Sequence, residues 1–142
     1  MSEANKALIR SLLEGADRDD ISILDETVTP DYDDHNPPPF QGPATGVEGA
    51  RDAWTTATKI FSDWSHEVVQ QFSDGDYVIT RVVGRGKHTG EFMGIPPSNN
   101  DVQMEGIAIH RVVDGKIVEH WGQVDAMGLM MQIGAVPPPP AG

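Results

Sequence analysis

The sequence predicts an α+β domain: helices come first, and a meander of long antiparallel strands then curves beneath them into a conical barrel around a cavity. Three observations predict it. The N-terminal part spaces its apolar residues by three and four, the later part alternates them, and Asp-Gly pairs at Asp74-Gly75 and Asp114-Gly115 mark tight hairpins. Helices in that order must cover one face of the sheet, and a curved sheet under helices encloses space for a small ligand.

The elements follow in order. Leu8, Ile9, Leu12 and Leu13 form one helical face within residues 3–15, and Gly15 stands where a C-cap would. A second helix fits residues 19–28, with Asp19 or Asp20 as its cap, Ile21, Leu24 and Val28 on one face, and Pro30 as its stop. The run DYDDHNPPP from Asp31 to Pro39 is extended, because its prolines remove donors and bias the residues before them away from helix. A third helix is predicted over residues 47–62, its stripe of Trp54, Ala57 and Phe61 running on to Trp64. Four strands are predicted at residues 64–73, 77–88, 102–113 and 116–124, with a Gly-, Pro- and Asn-rich loop at 90–101. A last helix covers residues 126–133 and ends at Gly134. One domain thus spans 1–136, and the Pro-rich residues 137–142 form a tail without fixed structure.

Composition narrows the function. Acidic residues number 22 against 10 basic ones, a net charge of -12, which is unsuited to nucleic acid or an anionic membrane surface. Cysteine is absent, so disulfides, thiolate metal sites and thiol nucleophiles are excluded. No apolar run reaches the roughly 18 residues that span a bilayer, and no apolar leader segment stands at the start; a soluble, cytoplasmic protein is expected.

The last hairpin is the richest stretch. With a two-residue turn at Asp114-Gly115, simple counting sets His110 against Glu119, Ala108 against Trp121, Gly106 against Gln123 and Met104 against Asp125, all on one face. Small residues beneath an aromatic, flanked by an imidazole, an amide and a carboxylate, have the composition of a pocket. A bulge near the turn would exchange the two faces. Asp125 equally suits the N-cap of the last helix, and a lone histidine such as His110 is more often structural and hydrogen-bonded than catalytic.

Four stretches together carry a resemblance: YDDHNPPP (32–39), GKHTGEFMGIPPS (86–98), GIAIHRVVDGKIVEHWGQVD (106–125) and GLMMQIGA (128–135). The chain resembles the SnoaL-like polyketide cyclases and ester cyclases of the nuclear transport factor 2-like superfamily. That resemblance implies the conical α+β barrel and a cofactor-free intramolecular aldol ring closure. It implies that Asp125 is the general acid/base, that His35 is a pocket residue and that His88 belongs to the His-Thr-Gly signature. Relatives often carry an aromatic at position 110, and the helix end Met130-Met131-Gln132-Ile133 departs from the usual leucine-rich pattern.

On this reading Asp125 abstracts an acidic C–H proton, while His35, with His110 or Gln123, hydrogen-bonds the enolate or carbonyl oxygens. Trp121, Trp54, Phe61 and Met104 would wall the pocket, with His88 beside them. His35 also suits a plain turn role beside the prolines. The histidines lack metal-ligand spacing, so no metal or cofactor is expected. The partner is a small hydrophobic molecule, and Ile107, Ile109, Val118 and Val124 offer a patch for a homodimer, with a tetramer as the larger assembly. Two other functions fit the same fold: a non-catalytic ligand-binding or dimerisation module, or an isomerase or epoxide hydrolase acting on a terpenoid or steroid.

Overall fold

The structure, a computed structural model, describes residues 2–37 and 46–137. Helix α1 (Ser2–Asp17) and the short α2 (Ile23–Thr27) lead into β1 (Val28–Asp34); α3 (Gly46–Ile60) precedes β2 (Phe61–Asp74), β3 (Tyr77–His88), β4 (Asp101–Val113) and β5 (Lys116–Val124), and α4 (Ala126–Gln132) follows. The strands form one sheet in the order β1-β5-β4-β3-β2. Among the described residues it has two free edges, so the curved sheet of the expected conical barrel stays open along one side.

Helix α1 lies over β2 and β3, α3 rests on β1, and α4 rests on β4. Two apolar clusters result. Ile9, Leu24, Val28, Tyr32, Val78, Val112 and Ile117 form the first under α1 and α3; Ile60, Phe61, Phe92, Val102, Leu129 and Ile133 form the second under α4. Between them the inner face of the sheet carries small, half-buried residues.

Several boundaries differ from expectation for identifiable reasons. The first helix runs through Gly15 to Asp17, since this glycine serves close packing: a Cβ there would stand 2.7 Å from Cγ2 of Ile23. The second helix shortens to Ile23–Thr27, because Asp19 takes a left-handed φ of 55° and turns the chain. Its N-cap is Ser22, whose side chain makes no cap bond; the hydroxyl donates to Asp20 instead. The extended acidic run forms a fifth strand, β1, which pairs in parallel with β5. Parallel pairing joins segments far apart in sequence, so no hairpin signal announces it. Of the expected tail, residues 138–142 lie outside the described residues, as do Pro38 and Pro39.

The last hairpin brings the main correction. Val113 pairs with Lys116 across Asp114-Gly115, both turn residues having positive φ, as the tight turn requires. The register then slips: Val112 opposes Ile117 but Arg111 opposes Glu119, leaving Val118 as a bulge. Beyond it His110 pairs with His120, Ala108 with Gly122, Ile109 with Trp121 and Ile107 with Gln123. The expected pairings of His110 with Glu119, Ala108 with Trp121, Gly106 with Gln123 and Met104 with Asp125 are therefore overturned. One extra residue sends Trp121 and Gln123 to the outer face and His120 and Gly122 to the inner one.

Candidate functional site

Three strands contribute one polar row to the inner face. Asp34 on β1 pairs with His120 on β5, which pairs with His110 on β4. Nδ1 of His120 donates to Oδ1 of Asp34 at 2.8 Å, and the two side chains are 20% and 19% exposed. The backbone N–H of Asn36 donates to the same carboxylate oxygen at 2.9 Å. With Nδ1 spent as a donor, the neutral His120 ring keeps its lone pair on Nε2.

Where that nitrogen points is set by a missing side chain. A Cβ at Gly122 would stand 3.0 Å from both Cε1 and Nε2 of His120. The imidazole thus lies along its own strand over Gly122, opposite Ala108. Gly106 continues this floor on β4, and Thr80 on β3 lies beside Ala108. Nε2 consequently lies over a stretch of floor built from small residues, with the Val124 side chain reaching in over Gly106.

The electrostatics keep the row in defined states. Burial pushes the Asp34 carboxyl upward, but the bond and charge of His120, the Asn36 N–H and the charge of His110 together hold it below the usual carboxylate range. It stays an anion. His110 behaves oppositely: burial first, then the neighbouring His120 charge, pushes its pKa down to about 3 against a weaker pull from Asp34. His110 is therefore neutral near pH 7. Its ring lies 4.8 Å from that of His120, and Nδ1 is buried without a hydrogen-bond partner. Tyr32, buried two residues before Asp34, has its phenol pushed far up by burial and by Asp34 and Asp33, so it keeps its proton.

The expected site residues divide among three places. His110 and Met104 stand on the inner face, and Phe61 is buried in the second cluster. His88 is fully buried there too. Its Nδ1 accepts from the Ser98 N–H at 3.1 Å, and its Nε2 has no partner. Trp54 packs on the first cluster, and its indole N–H donates to Asp19. Trp121, Gln123 and His35 belong to the outer face, where the ring of His35 stacks on Trp121 at 4.6 Å and 6°.

Asp125 stands at the far end of β5. It is exposed and is the N-cap of α4, its carboxylate accepting from the Gly128 N–H at 2.9 Å. Residue 35 follows the other end of β1, beside His120. The five residues from His120 to Asp125 span about 16 Å of strand, so His35 and Asp125 do not share a ligand position.

Outside, His35 donates from Nε2 to Glu119 at 2.9 Å, and Arg111 bonds the other oxygen of Glu119 at 3.0 Å. His35 and then Arg111 hold the Glu119 carboxyl below its ordinary range. Asp33, His35 and Glu119 bring their ligand atoms within 4.8 Å of one another, the grouping among the described residues able to hold a cation. It lies on the face opposite the His120 floor.

The counting missed Asp34 and His120. The signal for them was the rejected phase of the hairpin: Asp34 alternates with His35, and a single bulged residue on β5 sets His120 opposite His110.

The curved, open α+β sheet with its helices on one face is the fold of the nuclear transport factor 2-like class. The SnoaL-like polyketide cyclase family model matches residues 6–133, and the chain belongs to that family. It is 31% identical to the aklanonic acid methyl ester cyclase DauD of Streptomyces sp. (strain C5) over 141 residues, covering 95% of this chain and 84% of the relative. It is 30% identical to the nogalonic acid methyl ester cyclase of Streptomyces nogalater, over 80% of this chain and 91% of the relative. Among solved structures it is similar to IdmH, a putative polyketide cyclase from Streptomyces antibioticus, with TM-score 0.81 and 34% identity over 92% of this chain and 98% of that one.

Proposed function

We propose that this chain closes a carbon ring in a small, apolar, polyketide-like ester by cofactor-free intramolecular aldol condensation, with His120 as acid/base oriented by Asp34. The observation that carries the proposal is the 2.8 Å bond from His120 Nδ1 to Asp34, which leaves Nε2 free over Gly122. A hydrogen between a ketone and an ester is already acidic, so an imidazole base suffices. Nε2 takes that proton, and the enolate carbon attacks a carbonyl carbon of the same molecule. A C–C bond forms, and the new alkoxide recovers the proton from the imidazolium. Oxidation state and atoms are conserved, so product and substrate are isomers. Asp34 stabilises the transient imidazolium, and neutral His110 is placed to donate a hydrogen bond to the developing oxyanion.

The relatives' substrates are methyl esters by name, which supports an ester here. The test is incubation of the purified chain with a polycyclic β-ketoester and no added cofactor. Ring closure to a product of unchanged mass supports the proposal; a persistent failure across such esters sinks it. Asp125→Ala separates the acid/base from the helix cap. It should cost about 1 kcal/mol in urea unfolding and leave ring closure intact, whereas loss of turnover at unchanged stability would return the acid/base role to Asp125.

Self-association through the outer face is part of the same proposal. Tyr77, Ile79, Ile109 and Trp121 line an open pocket of about 430 Å³ there with Asp74, and Ile107 beside them is 52% exposed. Apolar area of this kind marks an interface. Light scattering should give twice the chain mass of 15.4 kDa, and a monomeric mass at micromolar concentration would refute it.

A further inference from the structure

A second acid-imidazole pair stands on the inner face at the opposite end of the floor, and its imidazole holds an aromatic side chain. Nδ1 of His66 on β2 donates to Oδ1 of Asp17 at 2.6 Å, while the His66 backbone N–H donates to Oδ2 at 3.1 Å. Nε2 of His66 is thereby left as an acceptor, and it takes the indole N–H of Trp64 at 3.2 Å. The order of donors runs one way, from Trp64 to His66 to Asp17 at the last turn of α1.

The backbone is shaped to deliver that indole. β2 shifts register between Ser62 and Ser65, and Asp63 takes a left-handed φ of 54°, a bulge that re-aims the next side chain. The indole then covers two glycines of β3. A Cβ at Gly84 would overlap Cζ2 of Trp64, and one at Gly86 would stand 2.6 Å from Cε3. One face of the ring is pressed on bare backbone, Phe61 closes one side with centroids 5.0 Å apart, and the residue stays half-buried. Gly84 pairs with Met104, four residues along β4 from Ala108 at the level of His120 Nε2. Since His120 on β5 is also two strands from those glycines on β3, the two sites lie about 13 Å apart along the strands and about 10 Å across them, roughly 16 Å in all. That length suits a fused polycyclic plane, not a single ring.

We propose that Trp64 is the stacking wall for the end of the substrate remote from the reacting carbons, and that His66 and Asp17 are positioning residues that fix this wall. The inference rests on the cyclase reading for its substrate but assigns residues that reading does not use. A wall at a fixed distance from His120 selects for the length of the planar part, because a ligand seated against Trp64 presents its reactive end to Nε2.

The experiment uses the full chain and two probes: alizarin, a planar fused tricycle, and methyl salicylate, a single ring. Trp64→Ala should weaken alizarin binding roughly three- to tenfold and barely alter methyl salicylate. His66→Leu should give the same split and raise KM for a polycyclic ester more than it lowers kcat. His66→Gln should restore alizarin binding, since its Oε1 can accept the indole N–H. Equal losses for both probes, unchanged alizarin binding in Trp64→Ala, or His66→Gln matching His66→Leu would each overturn the proposal. The binding arm stands apart from turnover. Selective alizarin loss in a chain that cyclises no ester would remove the cyclase reading and leave the wall, while ring closure indifferent to Trp64 would remove the wall alone.

Discussion

His120→Gln should lower kcat for ring closure by about 10²–10⁴, with melting temperature within a few degrees of the parent. The stability expectation follows from the side chain being 20% exposed and bonded only at the edge of the floor, to Asp34. The rate expectation follows from the loss of the group that carries the proton both ways. Asp34 should behave differently. Its Oδ1 accepts both the His120 Nδ1–H and the Asn36 N–H, and the amide oxygen of an asparagine can accept both as well. Asp34→Asn therefore keeps the tautomer and removes only the charge that stabilises imidazolium, which predicts a smaller loss of about 10–10² in kcat. Asp34→Ala removes orientation and charge together and should approach the His120→Gln value. Gly122→Ala tests geometry without touching either group: its Cβ would meet the imidazole at 3.0 Å, so the ring must turn and kcat should fall. Turnover within threefold of the parent in His120→Gln would end the assignment, whatever the other variants show.

How far the sequence spoke for itself depended on whether its signals were local. Periodicity placed the three long antiparallel ladders and both flanking helices, because a helix stripe and a strand alternation are read from neighbours. The parallel strand Val28–Asp34 was legible only as extended chain, since its pairing partner lies beyond the whole meander. The predicted pairing across the last hairpin failed at a single residue. Counting from Asp114-Gly115 gave the right turn and the wrong face, because the Val118 bulge adds one residue and side chains alternate with a period of two. Every residue past the bulge on β5 changed sides: Trp121 went out to stack on His35, and His120 came in to meet Asp34. Nothing in composition or spacing announces a bulge at a valine between an isoleucine and a glutamate. The pairing of two histidines across the hairpin does make sense of it afterwards, since only the bulged register brings His110 opposite His120. The resemblance carried the family correctly and carried Asp125 onto an exposed helix cap.

Acid should destabilise this fold earlier than its carboxylates would predict, and His110 is the reason. In the folded chain its pKa is pushed down to about 3 by burial, while in the unfolded chain a histidine titrates near 6.5. Between those values the unfolded chain binds a proton that the folded chain refuses, so stability is full above about pH 6.5 and falls as pH drops toward 3. From pH 7 to pH 5 the loss from this group comes to about 2 kcal/mol. Asp34 acts in a separate window: its depressed pKa stabilises the fold above the unfolded value near 3.9, and that contribution fades only below it. Urea unfolding at pH 7 and pH 5 isolates the histidine. The parent should lose about 2 kcal/mol more over that interval than His110→Phe or His110→Leu, and the other histidines cancel in the comparison. An equal pH dependence in parent and both variants would show that His110 titrates normally in the fold. It would also remove its part in catalysis, because a histidine held neutral by burial is one that can offer an N–H to an oxyanion throughout the working pH range. With its pKa near 3, His110 itself adds no limb to the kcat profile between pH 5 and 8.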